Sequence, residues 1–260
     1  MTCGTNYLRH RRDVSTVGAV TRGRLVSSVV AMMVVGSSIA SCPDAIAESP
    51  GRVSSGSISP NLLMNPGFDA SKCRGGYHST PPDGWTVTEG DPTTICWRQK
   101  SSDFPTLDDP HPRHHGSGYA GGGQGQAVSV LSQVVSLAEY GGSIDMGLVR
   151  SKLSGYLGGW SDQDDSTIVR ATWLDAGGER LGEATIGPVS EADRDGQTGL
   201  LQRTDNAAVP VGTRSAVVTV EMTREEGSYD DGYADALALR LQTASPTNVP
   251  SWRSERELGK

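Results

Sequence analysis

Aromatic side chains are scarce in this 260-residue chain, at 5% of residues, and it carries only four cysteines. So few large rings, beside 33 glycines and 14 prolines, disfavour a helical bundle and suit many short strands joined by turns. No uncharged apolar run reaches the roughly 20 residues that a confident membrane-spanning helix needs. There is no C-x-x-C pair, G-x-S-x-G elbow, H-E-x-x-H or P-loop, and no internal repeat. The familiar marks of thiolate zinc sites, serine hydrolases, zinc peptidases and nucleotide binding are therefore missing.

Basic charge is also short where it would matter. The formal net charge is -7, and Arg9, Arg11, Arg12, Arg22 and Arg24 lie in the first 47 residues, opposed there only by Asp13 and Asp44. Setting that segment aside leaves 18 basic against 28 acidic side chains, a balance of -10. Such a body repels phosphate backbones, so no nucleic-acid partner is expected. Acidic loops favour cations and neutral ligands instead.

What is present begins with a leader. A basic stretch precedes the apolar run Leu25 to Ala40, and residues 1–47 read as an export signal. Two processing routes are open. Ala45-Ile-Ala47 has the A-x-A form, which releases a soluble protein starting at Glu48. Ile39-Ala-Ser-Cys42 is similar to a lipobox, which leaves Cys42 lipidated and tethers the protein to a membrane. Either route places the body outside the cytoplasm, secreted or at the cell surface. Residues 48–58 are rich in Ser, Gly and Pro and read as a flexible spacer, residues 59–242 as one domain, and residues 243–260 as a disordered polar tail. Cys73 and Cys96 are the only thiols of the body, and in an oxidising compartment they should bridge.

Period-two patterning dominates the body. Ala216, Val218, Val220 and Met222 alternate with polar or outward positions between Thr213 and Arg224, the pattern of a strand with one buried face. Thr167 to Leu174, the turn Asp175-Ala-Gly-Gly-Glu179, and Arg180 to Ile186 read as a hairpin. Further strands are expected at Leu62 to Met64, Gly84 to Thr88, Thr94 to Arg98, Gln126 to Leu137, Ile144 to Gly155, Leu200 to Thr204 and Tyr233 to Leu241, with short helical turns near 137–140 and 189–193. Eight or nine antiparallel strands at this spacing make an all-β sandwich. Trp85 and Trp173 sit in strand patterns and belong to its core.

Four segments carry a resemblance: Asn61-Leu-Leu-Met-Asn-Pro-Gly-Phe-Asp69, Asp83-Gly-Trp85, Leu153-Ser-Gly-Tyr-Leu-Gly-Gly159 and Asp231-Gly-Tyr-Ala-Asp-Ala-Leu237. Together they resemble the galactose-binding-like jelly-roll modules of bacterial secreted proteins, which include many carbohydrate-binding modules. The resemblance runs from about Ser59 to Gln242. It implies a jelly-roll sandwich, a carbohydrate or cell-surface glycan as partner, and a structural calcium held by Asp69 and Asp235 with backbone carbonyls. Asp69 stands where the family usually has Glu, and Ala236 where Asn or Asp is frequent. The competing reading is that both aspartates cap turns at strand ends.

Sugar recognition needs an apolar plate beside directional polar groups. Trp160, in Gly158-Gly-Trp-Ser-Asp-Gln-Asp-Asp165, is the leading candidate plate, with Asp162, Gln163 and Asp165 as polar partners. Trp97, Tyr119 and Tyr229 are further plates. Asp162 to Asp165 lacks the order of an EF-hand loop and reads as a solvated acidic loop. In His111-Pro-Arg-His-His115 three imidazoles fall within five residues, but Pro110 and Pro112 argue for an extended loop that keeps the rings apart. The sequence thus reads as an exported, non-catalytic carbohydrate-binding sandwich. A cell-surface protein-interaction module and a jelly-roll hydrolase stand as alternatives.

Overall fold

The computed structural model describes residues 56–244. The leader with Cys42 and Ala47, most of the spacer and all but the first two residues of the tail lie outside the described residues. Ten strands follow in chain order: β1 Thr86–Glu89, β2 Thr93–Cys96, β3 Gly118–Gln124, β4 Val128–Ser136, β5 Val149–Gly159, β6 Ser166–Leu174, β7 Arg180–Ile186, β8 Gly199–Ala208, β9 Ser215–Thr223 and β10 Tyr229–Thr243. Between them lie one α-helical turn, α1 Gly141–Asp145, and two 3-10 turns at Ala138–Tyr140 and Ala192–Arg194. Among the described residues no helix is long and apolar enough to cross a membrane.

The strands form two five-stranded sheets, ordered β1-β4-β9-β6-β7 and β2-β3-β10-β5-β8, antiparallel throughout. This is the all-β sandwich expected from the pattern. In β9 the alternation is realised residue by residue. Ala216, Val218, Val220 and Met222 are fully buried and the intervening positions are half-exposed. They meet Leu153, Leu157, Leu237 and Leu239 of the second sheet in one core that also takes in Trp85 and Trp173. Each fully buried Leu or Val contributes roughly 1.5–3 kcal/mol relative to exposure.

Four local readings differ from the structure. Leu62 to Met64 is no strand, because only the Leu62 amide reaches a neighbouring strand, at the Leu239 carbonyl, and side chains take the amides of Leu63 and Met64. Asn61 Oδ1 accepts from the Leu63 and Leu239 amides, and Gln133 bonds both the amide and the carbonyl of Met64. The segment read from Ile144 as strand begins instead in α1, and β5 starts only at Val149. Spacer and tail are also tighter than expected at their inner ends. Ile58 bridges Gln242, the Gly56 amide donates to the Thr243 carbonyl, and β10 runs through Thr243. The fourth difference is β3, Gly-Tyr-Ala-Gly-Gly-Gly-Gln, a buried interior strand that lacks any apolar period. Its glycines are there for space: a Cβ on Gly122 would stand 2.0 Å from the Asp230 carboxyl carbon.

Candidate functional site

β10 organises both candidate sites. It pairs with β3 on one side and β5 on the other, and its register slips between Asp230 and Tyr233 and again between Asp235 and Ala238. At the second slip Ala236 is left-handed, with φ 50. A bulge of this kind breaks the alternation and re-aims side chains. As a result Asp230, Asp231 and Asp235 are all buried on one strand.

At the first site Asp235 meets Asp69. Asp235 Oδ2 accepts from Trp97 Nε1 at 3.0 Å and Oδ1 from the Ala236 amide at 2.6 Å. Asp69 Oδ1 accepts from the Ser117 amide at 2.6 Å and from the Gly118 amide at 3.4 Å, while among the described residues its Oδ2 accepts no hydrogen bond. The point where a Cβ on Gly67 would stand lies 2.8 Å from Asp69 Oδ2 and 3.6 Å from Asp235 Oδ1, so both carboxylates face one small space. Burial, with the Asp69 charge adding to it, pushes Asp235 up to about 7 against the partial relief of the Trp97 bond. Among the described residues no ion pair compensates either aspartate. The donor set is hard oxygen only, which fits calcium. Among the described residues no three His, Cys, Asp or Glu side chains converge on one point, so carbonyls and water would complete such a shell.

Trp97 and Tyr119 are not the binding plates that the sequence suggests. Both are buried, at 1% and 0% exposure, and present no face to a ligand. Trp97 orients Asp235, and Tyr119 donates to the Pro105 carbonyl at 2.9 Å while packing on Trp97 and Tyr233. Their polar tips find protein partners, which is how such rings are accommodated inside.

The second site is a groove of about 230 Å³ whose aromatic walls are Tyr77, Phe104, Trp160 and Tyr229 and whose polar groups are Asp103, Gln163 and Asp231. Trp160 is half-buried and its Nε1 donates to the Ser102 carbonyl at 3.1 Å. Tyr77 stands 55% exposed, edge-on to Phe104 at 4.9 Å and to Tyr229 at 5.7 Å, with its hydroxyl on Asp103. Asp231 is buried, accepts a hydrogen bond from the Tyr233 hydroxyl, and is raised to about 7 by desolvation, with Asp165 adding and Arg194 opposing. Its neighbour Asp230, raised by burial to about 8, leaves Oδ2 without a partner.

The polar loop after Trp160 divides. Gln163 lines the groove; Asp162 is exposed and does not. Asp165 is fully buried: its carboxylate accepts the amides of Glu225, Glu226 and Asp231, tying the start of β6 to the β9–β10 turn. It is a structural anchor that no ligand in the groove reaches. The residue that sequence reasoning missed is Arg194. Its guanidinium, 5% exposed, donates to the carbonyls of Ser161, Gln163 and Gln197 and so holds the loop rigid from beneath. Nothing local in the sequence marks a contact 31 residues away. Tyr77 was also missed, although Gly75-Gly76-Tyr77 announces an aromatic on a turn.

The expected disulfide is formed between Cys73 and Cys96, with the Cα atoms 4.9 Å apart. It fastens the loop carrying Tyr77 to the end of β2, reinforced by the Arg74–Ile95 bridge.

No family model matches this chain, and no curated protein sequence does. Solved structures do match. A Stig cyclase from Fischerella sp. TAU is 12% identical, with a TM-score of 0.48 over 73% of this chain and 100% of the cyclase. A family 16 carbohydrate-binding module is 14% identical, with a TM-score of 0.43 over 69% of this chain and 99% of the module. The enzymatically active domain of tailspike protein 4 from bacteriophage CBA120 is 14% identical, with a TM-score of 0.41 over 70% of this chain, which spans only 21% of that protein.

Proposed function

We propose that this protein is an exported carbohydrate-binding β-sandwich whose ligand lies in the Tyr77–Trp160 groove. The observation that carries the reading is the pairing, in one open groove, of the exposed Tyr77 ring and the half-buried Trp160 ring with Asp103, Gln163 and Asp231. A pyranose offers an apolar face and a rim of hydroxyls, and this groove offers the complement. Arg194 and the disulfide fix the two loops that form it, which lowers the ordering cost of binding. Calcium at Asp69 and Asp235 is part of the proposal as a structural ion. It would offset the buried charge of Asp235 and join the start of the domain to its last strand. Export, by either the soluble or the Cys42-anchored route, completes it.

A glycan array tests the reading. Binding to one glycan class that disappears in Trp160→Ala and Tyr77→Ala supports it, and silence across the array sinks it. A second reading follows from Asp231, a protonatable carboxyl poised near neutrality inside the groove: it has the acidity of a general acid, so a hydrolase on the same surface is its alternative. Turnover on a panel of glycosidic and ester substrates, lost in Asp231→Asn, separates that activity from simple binding.

A further inference from the structure

The loop between Asp109 and Ser117 brings together two histidines that its prolines were expected to hold apart. A turn at Arg113–His114 reverses the chain, and the rings of His111 and His115 come to 5.2 Å between centroids, at 70° to one another. Both also lean on Trp97, at 5.6 and 5.8 Å. His114, at the tip of the turn, is exposed and outside the cluster.

The hydrogen bonds determine which nitrogens are available. His111 Nδ1 lies 2.7 Å from the Asp109 carbonyl and His115 Nδ1 lies 2.9 Å from the Gly116 carbonyl. A carbonyl oxygen can only accept, so each Nδ1 must carry the proton. In the neutral rings both Nε2 lone pairs are then free, and among the described residues neither has a hydrogen-bond partner. Donation of the far ring N–H to a backbone carbonyl is the arrangement found behind metal-bound imidazoles, where it sets the tautomer and raises basicity.

The spacing agrees. With a metal–nitrogen bond of about 2.0–2.1 Å, an imidazole centre sits roughly 3.2 Å from the ion, and a tetrahedral angle between two such ligands separates the centres by about 5 Å. We infer that His111 and His115 form a two-imidazole site for a divalent transition metal of the zinc, nickel and copper group, with water completing the shell. The bound ion pins this loop to Trp97, the residue that orients Asp235. The site is distinct from the hard-oxygen pair Asp69 and Asp235 in ligand chemistry, and imidazole does not suit calcium.

The test is calorimetric titration of Ni²⁺ and of Zn²⁺ into the full chain with its free thiols alkylated, once in saturating calcium and once in none. One ion per chain should bind in both conditions. His111→Ala and His115→Ala should each weaken that binding at least about tenfold, the lower limit of what even an outer partner's loss costs. His114→Ala should leave it unchanged. Absence of saturable binding, or equal weakening by His114→Ala, overturns the assignment. Should a variant fold poorly, the unmodified chain still decides. On adding Zn²⁺ the imidazole nitrogen spectrum must shift at Nε2 of two histidines, and a shift at Nδ1, or at none, overturns it.

Discussion

Trp97 Nε1 donates a 3.0 Å hydrogen bond to Asp235 Oδ2, joining the residue after β2 to the middle of β10 across 138 positions of sequence. The bond gives Trp97 a structural task, aiming a buried carboxylate. Replacing the indole by phenyl keeps a ring and removes the donor. Trp97→Phe is expected to cost about 1.5–3 kcal/mol, the range for a hydrogen bond to a charged group. Urea unfolding measures it, and an unchanged midpoint would show that the bond carries no weight.

Calcium is expected to raise the melting temperature and chelator to lower it, because an ion bound only by the folded state stabilises by mass action. Asp235→Ala should abolish that sensitivity, and Asp69→Asn should reduce it. Differential scanning calorimetry with and without chelator checks both. Identical curves for the parent protein would remove calcium from the account.

Two carboxyls away from that pair give the fold a pH dependence with a definite sign. Asp230 and Asp231 are raised by burial to about 8 and about 7 from an ordinary 3.8. Between those limits the folded state binds more protons than the unfolded one, so stability falls as pH rises from about 4 to about 8. Asp230→Asn keeps the shape and removes one proton equilibrium. It should raise stability relative to the parent at pH 8 and change it little at pH 4. Thermal melts at the two pH values decide the matter, and a flat profile would contradict the burial of these groups.

In the groove, Trp160→Ala and Tyr77→Ala are each expected to weaken a cognate glycan by about 1–3 kcal/mol, as loss of a stacking anchor does elsewhere. Asp162→Asn, outside the groove, should leave affinity as it was. Titration calorimetry with the glycan found on the array measures all three. Equal losses at Asp162 and Trp160 would move the binding surface to the outer rim of the loop.

Reduction of Cys73–Cys96 should cost about 3 kcal/mol, as expected for a loop of 23 residues. It should also weaken glycan binding, since the Tyr77 loop loses its tether. Denaturant unfolding with and without reductant gives the first number and the array the second.

Much of the sheet was legible because burial on one face writes itself into every second residue. β9, β6 and β7 stand within about two residues of where alternation and the Asp175–Glu179 turn put them. β3 was not legible, since a strand crowded by Asp230, Ile95 and Tyr233 must be glycine and so shows no apolar period. The short span Leu62 to Met64 misled for the opposite reason. It is apolar enough for a strand, but Asn61 and Gln133 take the backbone bonds of Leu63 and Met64. Of the groove lining, Trp160 and Gln163 could be picked from composition beside a strand end. Trp97 and Tyr119 could not be excluded that way, because a tryptophan or tyrosine near glycines looks the same whether its tip meets water or a buried partner.

Local order therefore decided what could be read from the chain alone: strand periods, turn chemistry, the acidic balance of the body, the single pair of thiols and the placing of aspartates at both ends of the domain. The tertiary structure decided which groups share a space. It turned Asp165 into an anchor, set Arg194 beneath the Trp160 loop, put Tyr77 and Trp160 in one groove, and folded His111 onto His115. Each of these depends on contacts between segments distant in sequence or on a reversal of the chain, and pairwise geometry of that kind leaves no mark on the residues that flank it.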